Sequence, residues 1–141
     1  MFLERFTSPG GSAALVNGAL DVFAGARSRV RVVALQEHGD QTWHFHAQRA
    51  STGQDTTFQS LVVTLGGRFS RSVVETALRG EHGSVEMLGL YFAAEGQHFD
   101  FRTLQDHVAA ASTSDLLYKG ALKDRSRTVF SGLIRVNEGA S

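Results

Sequence analysis

Along most of this chain apolar and polar residues alternate one for one, the period of a strand with two unlike faces. Between Gln97 and Val136, Phe99 and Phe101 fall on one side and His98 and Asp100 on the other. Leu116 to Leu122 and Thr128 to Val136 are again short and rich in branched or aromatic residues, with the solvated corner KDRSR between them. Upstream, RVRVVAL sets Arg29 and Arg31 against Val30 and Val32, and TWHFHAQR sets Trp43, Phe45 and Ala47 against His44, His46 and Gln48. Phe58 to Leu65, Phe69 to Leu78 and Val85 to Ala94 complete the run of strands, the first two split by Gly66 and Gly67. ALVNGALDVF reads as strand–turn–strand about Asn17-Gly18. Residues 1–12, ending in SPGGS, read as a weakly structured lead-in, so 13–141 form the folded core. Only DHVAAAS (Asp106 to Ser112) and SVVETAL (Ser72 to Leu78) show helical spacing.

The pattern predicts an all-β domain that turns about every ten residues, and fifteen glycines against the single Pro9 fit such corners. AGARSRVRVVAL, RGEHGSVEMLGLYF and LKDRSRTVFSGLIRV form a weak internal repeat. Val85 and Val129 are 44 residues apart, two coils of 22, whereas the 55 from Val30 to Val85 fit no whole number of such coils. A sandwich, a barrel and a parallel β-helix all satisfy this spacing.

Composition narrows the function. With 141 residues the chain makes one domain, and its fourteen basic and fourteen acidic residues cancel, leaving no electrostatic footprint for nucleic acid or an anionic membrane. It has no cysteine, hence no thiolate nucleophile or thiolate metal ligand. No 18-residue apolar run occurs, and MFLERF carries charge too early for a signal peptide, so a cytoplasmic location is expected.

Candidate chemistry is sparse. His44 and His46 share a strand face as two metal ligands would, and GDQTWHFH nearly opens a cupin metal motif. The glutamate that should follow is replaced by Ala50 and Ser51, and an exposed polar face accounts better for the pair. A small cupin-like or sandwich module binding metal or ligand through His44 and His46 is the alternative reading. His98 and Asp100 share a face as base and orienter would, though two polar residues opposite two buried phenylalanines explain them as well. Asp106, His107 and Ser114 lack triad spacing, and no Gly-x-Ser-x-Gly elbow occurs. LGGRFSR and GALKDRS lack the ending and the glycines of a phosphate loop. No catalytic residue is assigned.

LYKGALKDRSRTVFSGLIRV, preceded by GQHFDFRTLQDHVAAASTSD, resembles the core of the SufB/SufD family, the scaffold of the Suf iron–sulfur cluster assembly system. VNGALDVFAGARSRVRVVALQEHG resembles the family's first core strands and LGGRFSRSVVETALRGEHGSVEMLGLYF its middle coils, so the likeness covers roughly residues 13–140. Its most specific element is Gln97, Asp100, His107, Ser114, Lys119, Gly120, Phe130 and Gly132 in order and at the right distances. KGALKDRSRTVFSG is most similar to the D subunit.

The resemblance implies a right-handed parallel β-helix with Val30, Phe45, Phe69, Phe99 and Phe130 in a dry interior. It implies a non-catalytic scaffold that pairs with a SufB-like subunit and docks on an ABC-type ATPase (SufC-like) while the full complex handles the iron–sulfur cluster. The family core continues into a segment bearing a cysteine and a histidine, then a helical region, so this chain reads as a fragment truncated at its C-terminal end, with no cofactor of its own. His107 and Lys119 are given structural roles in the stack. A bare last coil, Thr128 to Val136, implies self-association.

Overall fold

The computed structural model describes residues 1–141. Ten strands and no helix make up the chain: β1 Phe2–Thr7, β2 Ala14–Ala24, β3 Arg29–Glu37, β4 Thr42–Thr52, β5 Thr57–Thr64, β6 Phe69–Leu78, β7 Ser84–Ala93, β8 His98–His107, β9 Thr113–Leu122 and β10 Arg127–Val136. Odd strands form one five-stranded sheet and even strands the other, every recorded pair parallel. This is a parallel β-solenoid of about five turns, each coil contributing one strand to each sheet. A sandwich or a cupin barrel is built from antiparallel strands, so both are excluded.

Coil length corrects the 22-residue repeat. Val30 pairs with Phe58 and Phe58 with Val85, so the 55-residue interval is two coils, of 28 and 27 residues. Val85 and Val129 lie in different sheets, on β7 and β10, which is why their spacing is no multiple of a coil. Coils range from 26 residues (Trp43 to Phe69) to 30 (Phe2 to Val32). The chain returns from the even sheet to the odd one through four tight corners. Each contains one left-handed residue: Arg27, Asp55, His82 and Ala111, at φ between 54° and 57°. Without glycine such a conformation costs about 1 kcal/mol, so these corners are held by the stack around them.

Three readings of local structure change. Residues 2–7 are β1, which covers the odd sheet's first edge by pairing with β3, rather than a loose lead-in. Asn17-Gly18 lies inside the unbroken β2, where Gly18 faces inward beneath the rings of His46 and Phe6. Ser72 to Leu78 is strand and Asp106 to Ser112 contains no helix.

The largest correction is which face is inside. Ala50, Val74 and Leu78 belong to the main core with Val32, Phe58, Val62, Val85 and Met87. Side chains alternate, so those anchors fix the parity of β4 and β6: His44, His46, Gln48, Ser70 and Ser72 point inward, and Trp43, Phe45 and Phe69 point out. Phe45 and Phe69 are therefore no part of the interior. They form an outer aromatic patch in which Trp43 stacks on Phe69 at 5.1 Å and Arg71 lies over the Phe69 ring. Val30 and Phe99 do face in, and Phe130 faces in from the last coil, where it is still 46% exposed.

Much of the interior is polar and tied by side chains. Gln48 donates to Ser60 Oγ across the two sheets at 2.7 Å. Gln36 acts as an extra strand: its Nε2 donates to the Gly66 carbonyl, and the Gly66 N–H donates to its Oε1. A second, smaller core holds Ala93, Phe99 and Phe101 with Tyr91 and Tyr118.

Candidate functional site

Two polar clusters sit inside or against the solenoid. One is in its first coils, the other where β8 turns into β9.

In the first coils, parity sends Glu4 and Phe6 of β1 inward against His44 and His46 of β4, and His38 closes the group from the end of β3. His44 is 3% and His46 5% exposed, so the sequence expectation of an exposed face is overturned. The His38 and His44 rings meet edge to face at 4.8 Å, and those of His44 and His46 stack at 5.9 Å. Both nitrogens of His44, Nε2 of His38 and Nε2 of His46 lack a hydrogen-bond partner. Burial pulls the His44 pKa down to about 4, and the neighbouring histidines push the same way. His38 is lowered by burial too, and His46 is lowered because burial outweighs the Glu4 carboxylate, 3.5 Å from its Nε2. These are neutral imidazoles packed as aromatic rings. No group of three or more His, Asp and Glu side chains is disposed to hold a metal ion, here or elsewhere in the chain.

At the second cluster His107 lies half-buried at the end of β8. Its Nδ1 meets Ser112 Oγ at 3.0 Å and its Nε2 meets Ser114 Oγ at 2.9 Å, so both ring nitrogens are used inside the corner. Ser112 in turn donates to the Ala109 carbonyl. Asp106 cannot orient this histidine. It points to the opposite face, where Arg135 grips it with two hydrogen bonds and Asn137 adds a third. Those bonds, the Arg135 guanidinium first, hold the Asp106 carboxyl below its ordinary pKa, and the guanidinium is raised in return. A Ser–His contact is present without an acid behind it, so no triad forms.

The remaining sequence-predicted positions scatter over the same three coils. Gln97 clamps a corner, its Nε2 donating to the Gly67 carbonyl and its Oε1 accepting from the Ala94 N–H. Asp100 faces outward beneath Arg71 and Arg102, at 2.8 and 3.4 Å, and does not pair with His98, which packs on Phe69. Gly120 lies under the Tyr91 ring, where a Cβ would come within 2.0 Å of ring carbon. Gly132 sits beside Thr103 Oγ1 and the Phe130 ring. Phe130 packs on Tyr118 at 5.1 Å, and Lys119 stands on the outer face of β9. Sequence reasoning missed Glu4, Phe6 and His38 as partners of His44 and His46. A charged residue inside an assumed lead-in was the available signal.

The sequence profile of the SufBD core domain of the SUF system for FeS cluster assembly matches residues 1–141. An iron–sulfur cluster assembly SufBD family protein of Mycobacterium leprae is 40% identical over 98 residues, 70% of this chain and 25% of the relative. One of Mycobacterium tuberculosis is 38% identical over 96 residues, 68% of this chain and 24% of the relative. A further Mycobacterium leprae family member is 26% identical over 140 residues, 99% of this chain and 16% of the relative. The chain thus spans about a quarter of the length of the first two and less of the third. Solenoid, motif order and profile converge: the chain belongs to the SufBD core-domain family of iron–sulfur cluster assembly.

Proposed function

We propose that this chain is a non-catalytic scaffold segment of an iron–sulfur assembly subunit of the D type. It works in the cytoplasm within a complex containing a SufB-like subunit and a SufC-like ABC-type ATPase. The cluster is that complex's cargo and takes no ligand from this chain. The observation that carries this reading is where the polar groups go: Asp106, Gln97 and Asp100 spend bonds on neighbouring coils, and His107 spends both ring nitrogens inside its own corner. The D assignment rests on KGALKDRSRTVFSG, whose serine-poor sequence differs from the B-type segment.

Two results test it. Anaerobic reconstitution with iron and sulfide is expected to leave no stoichiometric visible chromophore on the isolated chain, because clusters are held mostly by thiolates. A stable chromophore, or ATP hydrolysis by the chain, overturns the reading. The second concerns pairing. The outer edge of β10 has no partner strand, and Leu133 and Ile134 are 60% and 62% exposed on it. Light scattering is expected to show self-association at about 100 µM that a SufB-like subunit competes away, since bare strand edges template pairing. A strict monomer that ignores the B-type subunit counts against pairing through this coil.

A further inference from the structure

The solenoid's two outer faces differ in kind. On the even sheet the outward rows are laced by ion pairs: Arg49 with Glu75, Arg71 and Arg102 with Asp100, and Arg135 with Asp106. The odd sheet has a single such pair, Arg5 with Glu37 at its β1 edge, and otherwise carries two mainly aliphatic outward rows. Register places Leu3, Val33, Leu61, Leu88 and Leu117 in one row, and Leu35, Val63 and Leu90 in the next, where Arg5 precedes them and Lys119 follows. Leu90 is 51% and Leu117 47% exposed. Nothing in the chain folds over them.

We propose that this face docks an amphipathic α-helix laid across the strands, along the solenoid axis. The first row crosses five strands about 4.8 Å apart and is about 19 Å long, the rise of roughly thirteen helical residues, while the second is aliphatic over the central strands β3, β5 and β7. The two rows lie about 7 Å apart, the width of one helix's apolar stripe. The footprint, roughly 200 Å², is far below the ~800 Å² per partner of a stable protein dimer, so a second copy of the chain is the poorer fit.

Charge specifies the occupant further. Along one flank the next outward row runs Arg31, Gln59, Glu86, Asp115, positive at the β3 end and negative at the β9 end, with Arg29 adding to the positive end. A groove of about 440 Å³ follows this flank. The helix that fits has acidic side chains over Arg29 and Arg31 and basic ones over Glu86 and Asp115, all on one edge of its apolar stripe. Leucine-class residues spaced three and four apart fill the rows between. This surface is independent of the assembly role proposed above.

The test uses a labelled peptide of about eighteen residues. It has leucines at that spacing, glutamates on one flank of its N-terminal half and lysines on the same flank of its C-terminal half. Fluorescence anisotropy with the full chain is expected to give a Kd of about 10 µM. The same peptide with glutamates and lysines exchanged is expected to bind about tenfold more weakly, since reversing the helix moves the charges to the wrong flank. Leu90→Glu together with Leu117→Glu, both at exposed positions, is expected to weaken the first peptide about tenfold at unchanged circular dichroism. Equal binding of both peptides, no binding, or a face-to-face dimer that the double variant dissolves each overturns the proposal.

Discussion

Acidification from about pH 7 to about pH 4.5 is expected to loosen the first coils of the solenoid while β5 to β8 stay protected. The groups that face one another there are His38, His44, His46 and Glu4, with the Phe6 ring among them. His44 titrates near 4 in the folded chain against 6.5 when exposed. Above about 6.5 both states are neutral and stability is full. Below that value the unfolded chain takes up a proton that the folded chain refuses, so stability falls with pH until the folded pKa is reached. For His44 alone the loss is about 3 kcal/mol, and His38 and His46, lowered in the same direction, add to it. The void beside the rings is only about 10 Å³, room for one water at most, so a protonated ring cannot be hydrated in place. Strands β1 and β2 each pair on one side only, as β9 and β10 do, but of these four only β1 and β2 adjoin the histidines and so release first. Amide exchange over residues 2–24 and 84–107, with Trp43 emission as a second probe, reads the difference. His44→Leu is expected to flatten most of the profile. Uniform loss across all coils, or a flat profile down to about pH 4, would disprove the account. Asp106 acts in a separate window: its carboxyl pKa is depressed, so its share of stability is lost only as pH falls below the ordinary carboxylate range.

A single methyl group at Gly89 is expected to be strongly destabilising. A Cβ there would stand 2.2 Å from Tyr118 Cδ1, and its next two neighbours are atoms of the same ring. Tyr118 cannot swing away, because Phe101 packs on it at 5.6 Å and Phe130 at 5.1 Å. Burial of its hydroxyl also raises the Tyr118 pKa. Overpacking of this kind costs about 1–3 kcal/mol, and with three ring atoms in the way Gly89→Ala is expected near the upper end. Urea unfolding of Gly89→Ala, Tyr118→Ala and the double variant forms a cycle. The methyl group is expected to cost little once the ring is gone, giving a coupling of about 2 kcal/mol. Equal cost in both backgrounds would mean that the ring is not what Gly89 accommodates.

Most strands and corners were legible because period-two alternation and turn residues act locally: the eight segments expected from Arg29 onward fall on strands, whereas the turn expected at Asn17-Gly18 lies inside β2. The inner face was not legible in β4 and β6. Trp43, Phe45 and Phe69 are the more apolar set, yet parity set by Ala50, Val74 and Leu78 turns them outward and takes two histidines in. Local hydropathy decides which residues alternate, while long-range packing decides which set wins. The aliphatic outer rows of β3, β5 and β7 escaped for the opposite reason: both faces are apolar there, so RVRVVAL and TFQSLVVT offer little contrast between inside and outside. At the candidate site, motif order gave the residues but not their partners. His107 with Ser112 and Ser114 is a corner contact that needs the turn to be drawn first.

The uneven coil length, 26 to 30 residues over strands that stay in register, separates what this architecture can vary from what it must keep. All the surplus is housed in the corners. An inserted residue beside Asp55 merely enlarges a bend and leaves each inward row aligned with the next. The same residue inserted between Gln48 and Arg49 would reverse the facing of every later position on that strand, turning Ala50 out and Ser51 in. Length drift and grafted loops are therefore confined to the rims of such a stack, and its lineage can lengthen there without re-inventing its interior.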